Sequence, residues 1–297
     1  MAETANAPLT GPAIRPRWRV TQLRRAGSRT HRGAVLDWFL IGLLVLMTLV
    51  ALAAPLLAPD DPIQPVGMMK LPPGSEGHLL GTDSIGRDAL SRILLGLRTS
   101  WLLSIVVTAT GLVIGTIVGL VAGMFGGWVD TLLMRLTDIF LALPSMLVAV
   151  AVAAALGNGL FNTFLAVSVV WWPYYARIIR GEIRALVARP HVEAARMAGV
   201  GWLRIMRKHL LPGAVPTAII TASLDIGNVV LVLASLSFLG LGQPAPAPEL
   251  GADTSREMAE ILDAWWVPVI PGAVVMLLNL ISNLAGDAVR NRLANRR

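Results

Sequence analysis

The side chains in this chain that could do chemistry are few, and their spacing excludes most reactions. The two lysines are Lys70 and Lys208, and neither follows Gly or precedes Ser or Thr. A phosphate-cradling GxxxxGK[ST] loop is therefore absent, and the chain has no nucleotide site of that kind. Cysteine is absent, and His31, His78, His191 and His209 form no HExxH pair. That leaves no thiolate, no disulfide framework and no metalloenzyme signature. GxSxG is missing too, and no nucleophile, base and orienting group can be assembled, so neither a catalytic residue nor a metal ligand is expected. Three charges do sit inside apolar stretches: Arg135, Asp138 and Asp225. Ionisable groups are costly in hydrocarbon, which makes these three candidate intramembrane polar sites. Arg135 and Asp138 lie i, i+3 and can pair on one helix face. Asp225 has no partner in its own helix, so it must face either a neighbouring helix or a water-filled path.

The elements that carry these residues are set by composition. The 297 residues are 55% hydrophobic and 14% charged, with mean hydropathy +0.67. A soluble domain has about a quarter of its residues charged, so a soluble enzyme is excluded. Apolar blocks run over Trp38 to Ala58, Trp101 to Gly123, Thr131 to Leu156, Leu160 to Ala176, Ala214 to Leu241 and Trp266 to Ala285. Each is long enough to cross about 30 Å of hydrocarbon. None shows the alternation of a membrane barrel, so the fold expected is all-α, a polytopic bundle of six transmembrane helices. The first block is read as a retained helix, because the polar stretch before it is too long for a signal peptide. Residues 1–37 form a basic tail whose composition predicts disorder or contact with anionic lipid. Residues 38–58 are the first span, and 59–100 an outer loop, extended at its prolines and closed by a short amphipathic helix near Arg87 to Leu97. Residues 101–285 are the core, and 286–297 a second tail.

The net charge of +7 resolves by location. Assigning segments by alternation puts 20 Lys or Arg on one side and 5 on the other, so both termini are expected in the cytoplasm and no nucleic-acid partner is needed. Trp38, Trp101, Trp128, Trp265 and Trp266 fall at span ends, as interfacial rings do. Trp171 and Trp172 do not, and are assigned to helix contacts. Gly111, Gly115, Gly119 and Gly123 recur every four residues and form one stripe on the second span. A stripe without side chains lets another helix approach closely.

The most informative polar segment is 181–213. Val192 to Ala198 reads as a short helix, Gly199 as its left-handed stop, and Trp202 to Leu210 as a second helix before Pro212. By itself this is a helix-turn-helix outside the bilayer, either an amphipathic hairpin on lipid or a docking element. Its residues Glu193, Ala194, Ala195, Gly199, Leu211 and Pro212 resemble the EAA loop of permease subunits in binding-protein-dependent ABC importers. Four further stretches resemble the peptide and nickel branch of that family, specifically its second permease subunit. They are Leu80 to Arg92; Asp130 with Met134, Arg135, Asp138 and Pro144; Leu236 to Gly242; and Asn283 to Arg290. His209 fits that branch, whereas Leu233 stands where the family commonly has Glu.

The resemblance implies a type I importer permease fold with a cytoplasmic coupling helix, in the inner membrane of a bacterium. It implies a chain without an ATPase site or cofactor of its own, with ATP and magnesium bound by partner ATPase subunits. It also implies a second homologous permease subunit and an extracytoplasmic solute-binding protein as partners. Residue by residue, Glu193 would be the acidic contact to the ATPase, Ala194 and Ala195 the small docking face, and Gly199 the turn. Dipeptides or oligopeptides are the implied cargo, with nickel chelates, glutathione or haem as alternatives. The reading from a different class is a membrane structural or channel protein whose hairpin binds lipid.

Overall fold

The structure, a computed structural model, describes residues 31–294. The basic tail falls outside the described residues up to position 30, as do the last three residues. Among the described residues the regular elements are helices, with two isolated bridges, Ser75 with His78 and Thr82 with Asp88. The helices are α1 (His31–Leu57), α2 (Ala89–Phe125), α3 (Gly127–Ala142), α4 (Ser145–Leu156), α5 (Leu160–Val187), α6 (Pro190–Met197), α7 (Trp202–Ile205), α8 (Leu211–Phe238), α9 (Leu250–Arg256) and α10 (Trp266–Ala294). A π turn (Met206–Leu210) joins α7 to α8, and a 3-10 turn (Met258–Glu260) follows α9.

The sequence separated a short helix near Arg87 to Leu97 from a second span, but the two form one rod, α2, of 37 residues. Asp88 starts it, since its Oδ2 accepts from Ser91 N at 2.7 Å and Ser91 Oγ at 2.8 Å. No proline interrupts the run from Ala89 to Phe125, and Gly96 is seated against Leu250. At about 1.5 Å per residue the rod is about 55 Å long, so it protrudes well beyond the hydrocarbon. Trp101 consequently lies within the helix, packed against α1. It is 1% exposed and donates from Nε1 to Thr48 Oγ1 on α1 at 3.1 Å. Trp38, Trp128 and Trp265 do remain exposed.

The block expected as a third span, Thr131 to Leu156, is broken into α3 and α4 with an 89° bend. Pro144 is the cause: it lacks an N–H and forces Leu143 into an extended conformation (φ −90°, ψ 143°). Among the described residues, four helical stretches are long and apolar enough to cross a membrane: Val35–Leu57, Ala89–Phe125, Trp202–Phe238 and Trp266–Leu293. The bent α3–α4 pair makes a fifth if it is one broken span. The expected six also counts α5, which has the length but carries Arg177, Arg180, Glu182 and Arg184 in its C-terminal half.

Three apolar clusters hold the bundle together. One joins Met47 and Ala51 of α1 to Trp101, Val230, Leu250 and Leu278. A second packs α4, α5 and α8 around Val107 of α2. The third gathers Leu120, Ile179, Ile183 and Leu186 with Val192, Ile205, Leu210 and Ala214, which fastens the 181–213 segment to the spans.

The loop between α1 and α2, expected to be extended, is instead folded onto α9 and the 3-10 turn. Arg92 pairs with Asp253 and donates to Pro62 O at 2.7 Å and Pro246 O at 3.2 Å. Ser84 Oγ donates to Glu257 Oε1 at 3.0 Å, and Lys70 pairs with Glu260. Buried charges need partners, and here the arginines of the Leu80 to Arg92 stretch supply them.

Candidate functional site

The hairpin is built from its turn outward. Pro190 occupies the first turn of α6, where its missing N–H costs nothing, and Glu193 in the same turn faces the positive end of the helix dipole. The stop is a Schellman motif: Gly199 (φ +73°) donates to Arg196 O at 3.0 Å and Val200 to Ala195 O at 3.1 Å. Leu236 to Gly242 closes α8 the same way, with Gly240 (φ +81°) donating to Ser237 O and Leu241 to Leu236 O, both at 3.0 Å.

Beyond Gly201 the second helix does not stop before Pro212. A π turn, closed by Leu211 N to Met206 O, feeds it directly into α8. The wider turn passes the chain into the span with Pro212 in the first turn of α8, where a proline is tolerated. The hairpin's second limb and the fifth apolar block are thus one continuous lever.

Val192, at 1% exposure, anchors α6 in the cluster under the hairpin. The residues singled out in the sequence divide around it. Glu193, Ala194, Gly199 and Pro212 are exposed, Ala195 is half-buried, and Leu211 is 37% exposed. Ala198 and Leu203 are exposed, while Ile205 and Leu210 are buried. Met197 (85% exposed) and Trp202 add an apolar surface beside Glu193 that the spacing of the segment does not signal. Trp202 also meets Phe125 at the end of α2, ring centroids 5.5 Å apart. A cavity of about 330 Å³ lies beneath, lined by Met124, Phe125, Val187, Val192, Arg196 and Trp202 among others.

The glycine stripe lies along α5. A methyl group on Gly115 would stand 2.5 Å from Tyr175 Cβ and 2.7 Å from Trp172 O, and one on Gly119 would stand 2.6 Å from Ala176 O. Gly123 faces Ile183, and Gly111 faces the Tyr175 ring at a looser 3.3 Å. Tyr175, fully buried against this stripe, donates to Asp225 Oδ2 of α8 at 2.7 Å. Trp171 Nε1 donates to the same oxygen, and Asn228 Nδ2 approaches Oδ1 at 3.4 Å from α8 itself, a partner in Asp225's own helix where none was expected. Asp225 therefore joins α8 to α5 and faces a helix, not open space. Trp172 packs its ring on Phe140 of α3.

Asp138 does not pair with Arg135 on its own helix. Its partner is Arg177 of α5, while Asp130 accepts from Arg180 Nη2 at 2.7 Å and Arg184 Nη2 at 2.8 Å. Arg135 is exposed. The i, i+3 spacing allowed a local pair, but the three arginines on α5 bring charge to α3 from across the interface. Part of the positive excess of residues 177–212 is thereby paired within the chain.

Residues 115–295 match the model of the binding-protein-dependent transport system inner membrane component. The chain belongs to this family. It is therefore a multi-pass inner-membrane permease subunit of an ABC importer, working with ATPase and substrate-binding partners, and not an enzyme. It is 38% identical to the probable D,D-dipeptide transport system permease protein of Escherichia coli K12, covering 88% of this chain and 91% of the relative. It is 41% identical to the di/tripeptide transport system permease protein of Pseudomonas aeruginosa (90% and 89%) and 36% identical to the glutathione transport system permease protein of Pectobacterium atrosepticum (95% and 92%). Among solved structures, its fold is similar to an inward-facing MetNI methionine ABC transporter (TM-score 0.53, 24% identity, 68% of this chain and 96% of that one). It is also similar to an amino acid ABC transporter (TM-score 0.54, 16% identity, 68% and 94%).

Proposed function

We propose that this permease subunit translocates short peptides, and that the hairpin at Glu193 to Gly199 couples it to a separate ATPase. The peptide assignment rests on relatives named for dipeptide and di/tripeptide transport. The glutathione relative favours a second reading, a modified tripeptide cargo. The observation that carries the coupling role is the division of α6. Val192 is buried among residues of α2, α5 and α8, while Glu193 and Ala194 on the next positions are exposed. A push on the exposed face passes through Val192 and the π turn into α8. The subunit pairs with a homologous permease and keeps both termini in the cytoplasm, as the Lys and Arg bias requires. Arg135 and Asp138 fall on that cytoplasmic side.

Two measurements test this. Uptake of labelled dipeptides, tripeptides and glutathione in a deletion strain, with and without the restored gene, should show peptide uptake that depends on it; uptake unchanged by deletion overturns the cargo. Glu193→Lys should insert normally and abolish uptake and ATPase co-purification, because charge reversal leaves an unpaired group in the contact. Normal uptake with a co-purifying ATPase overturns the coupling role while leaving the cargo standing.

A further inference from the structure

We propose that Asp60, His78 and Asp88 form a binding site for a divalent transition-metal ion of the zinc class, stapling the end of α1 and the following loop to the start of α2. The three residues come from three separate places: just beyond α1, mid-loop, and the cap of α2. One ligand atom from each lies within 4.8 Å of the others, and His78 Nδ1 is 2.9 Å from Asp88 Oδ1. An imidazole nitrogen with two carboxylate oxygens, completed by water, is a donor set that zinc accepts in tetrahedral geometry.

Two further observations point to a cation. The first is orientation from behind. Ser91 holds both segments: its N–H and hydroxyl donate to Asp88 Oδ2, leaving Oδ1 turned to His78, and its Oγ accepts from the Asp60 backbone N–H at 3.1 Å. Such outer partners fix a ligand's direction. The second is charge. Neighbouring acids in this loop contact have cations: Asp83 has Arg87, Asp253 has Arg92, and Glu260 has Lys70. Asp88 is fully buried with Ser91 and His78 as its side-chain partners and no Arg or Lys on it, and the Asp60 carboxylate has no hydrogen bond or ion pair among the described residues. Two carboxylates converging on one imidazole without Arg or Lys make a site that a divalent ion would neutralise.

The test uses the full chain, purified in detergent with a histidine-free tag, stripped with chelator and dialysed against zinc. The wild type should retain about one zinc per chain, and cobalt in its place should give the visible bands of a tetrahedral site. Asp60→Asn, which removes no bond within the protein, should weaken binding at least about tenfold, and His78→Gln should abolish the cobalt bands. Zinc should raise the thermal midpoint of the wild type and not of Asp60→Asn. The proposal is overturned if the wild type holds no more zinc than the variants, or if Asp60→Asn keeps the wild-type stoichiometry, affinity and cobalt spectrum. Should His78→Gln fail to fold, Asp60→Asn decides alone.

Discussion

Replacing each glycine of the α2 stripe by alanine separates two effects that the sequence presents as one. In a helix interior, Gly to Ala is favourable by about 1 kcal/mol, because the backbone loses less entropy. Against this stands the space the methyl group finds. At Gly111 its nearest neighbours are Tyr175 ring atoms at 3.3 and 3.5 Å and Trp171 Cβ at 3.5 Å, close to ordinary contact. Gly111→Ala should therefore be neutral or stabilising by up to about 1 kcal/mol. At Gly115 the same methyl meets Tyr175 Cβ at 2.5 Å, Trp172 O at 2.7 Å and Ala176 N at 2.8 Å. Carbon contacts settle near 3.5–4.0 Å, so α5 must retreat by about 1 Å, and two of the obstacles are its backbone. Overpacking of this kind costs about 1–3 kcal/mol, and retreat also pulls Tyr175 from Asp225, so Gly115→Ala should be net destabilising by about 1–2 kcal/mol. Gly119→Ala should match it, since its obstacles, Ala176 O at 2.6 Å and Arg180 N at 2.9 Å, are again backbone. The assay is reversible unfolding of the full chain in mixed micelles, followed by tryptophan fluorescence, with Trp171 and Trp172 on the moving helix. Equal effects at Gly111 and Gly115, in either direction, would refute the close-approach account.

Other perturbations probe separate parts of the bundle. Asp225→Ala strips the acceptor from buried Tyr175 and half-buried Trp171 and should cost several kcal/mol, against about 1 kcal/mol for Tyr175→Phe; equal losses in the same micelle assay would mean that Asp225 is not the junction. Gly199→Ala has open space for its methyl but must hold φ +73°, so it should cost about 1 kcal/mol and leave membrane insertion intact, which unfolding and fractionation together check. Glu249, beside α9, is buried, and burial raises its carboxyl above the ordinary 4.5 despite hydrogen bonds from Ser237 Oγ and Gln243 N. The folded state then holds the proton more tightly than the unfolded chain. The group's contribution is full below about pH 4.5 and is lost as pH rises through the native value. Thermal midpoints should fall with rising pH in the wild type relative to Glu249→Gln, and parallel curves would contradict the burial.

Several expectations were readable because they depend on neighbours in the chain. The αL stop at Gly199, the four-residue glycine period and the apolar blocks are local patterns, and composition alone places the chain in the membrane. Boundaries failed where a cap or a proline overrode hydropathy. Asp88 and an unbroken run made one rod of two expected elements, and Pro144 made two of one. Ion pairs failed for a different reason. Asp138 looks to Arg135 in sequence, but its partner Arg177 is 39 positions away. Val192 is not legible as an anchor, because a lone valine in a basic segment carries no signal.

What the sequence determined by itself is the class of molecule: a helical membrane protein lacking a phosphate-binding loop, with a polar hairpin marked by its glycine. These features arise from transfer of apolar side chains into hydrocarbon and from backbone preferences, which act within a turn or two of each residue. What only the tertiary structure decided is which groups meet: the stripe with α5, Asp225 with Tyr175, Asp130 with Arg180 and Arg184, and Asp60 with His78 and Asp88. Those contacts join residues far apart in the chain, and which of them form depends on how whole helices pack, a choice that no local spacing encodes.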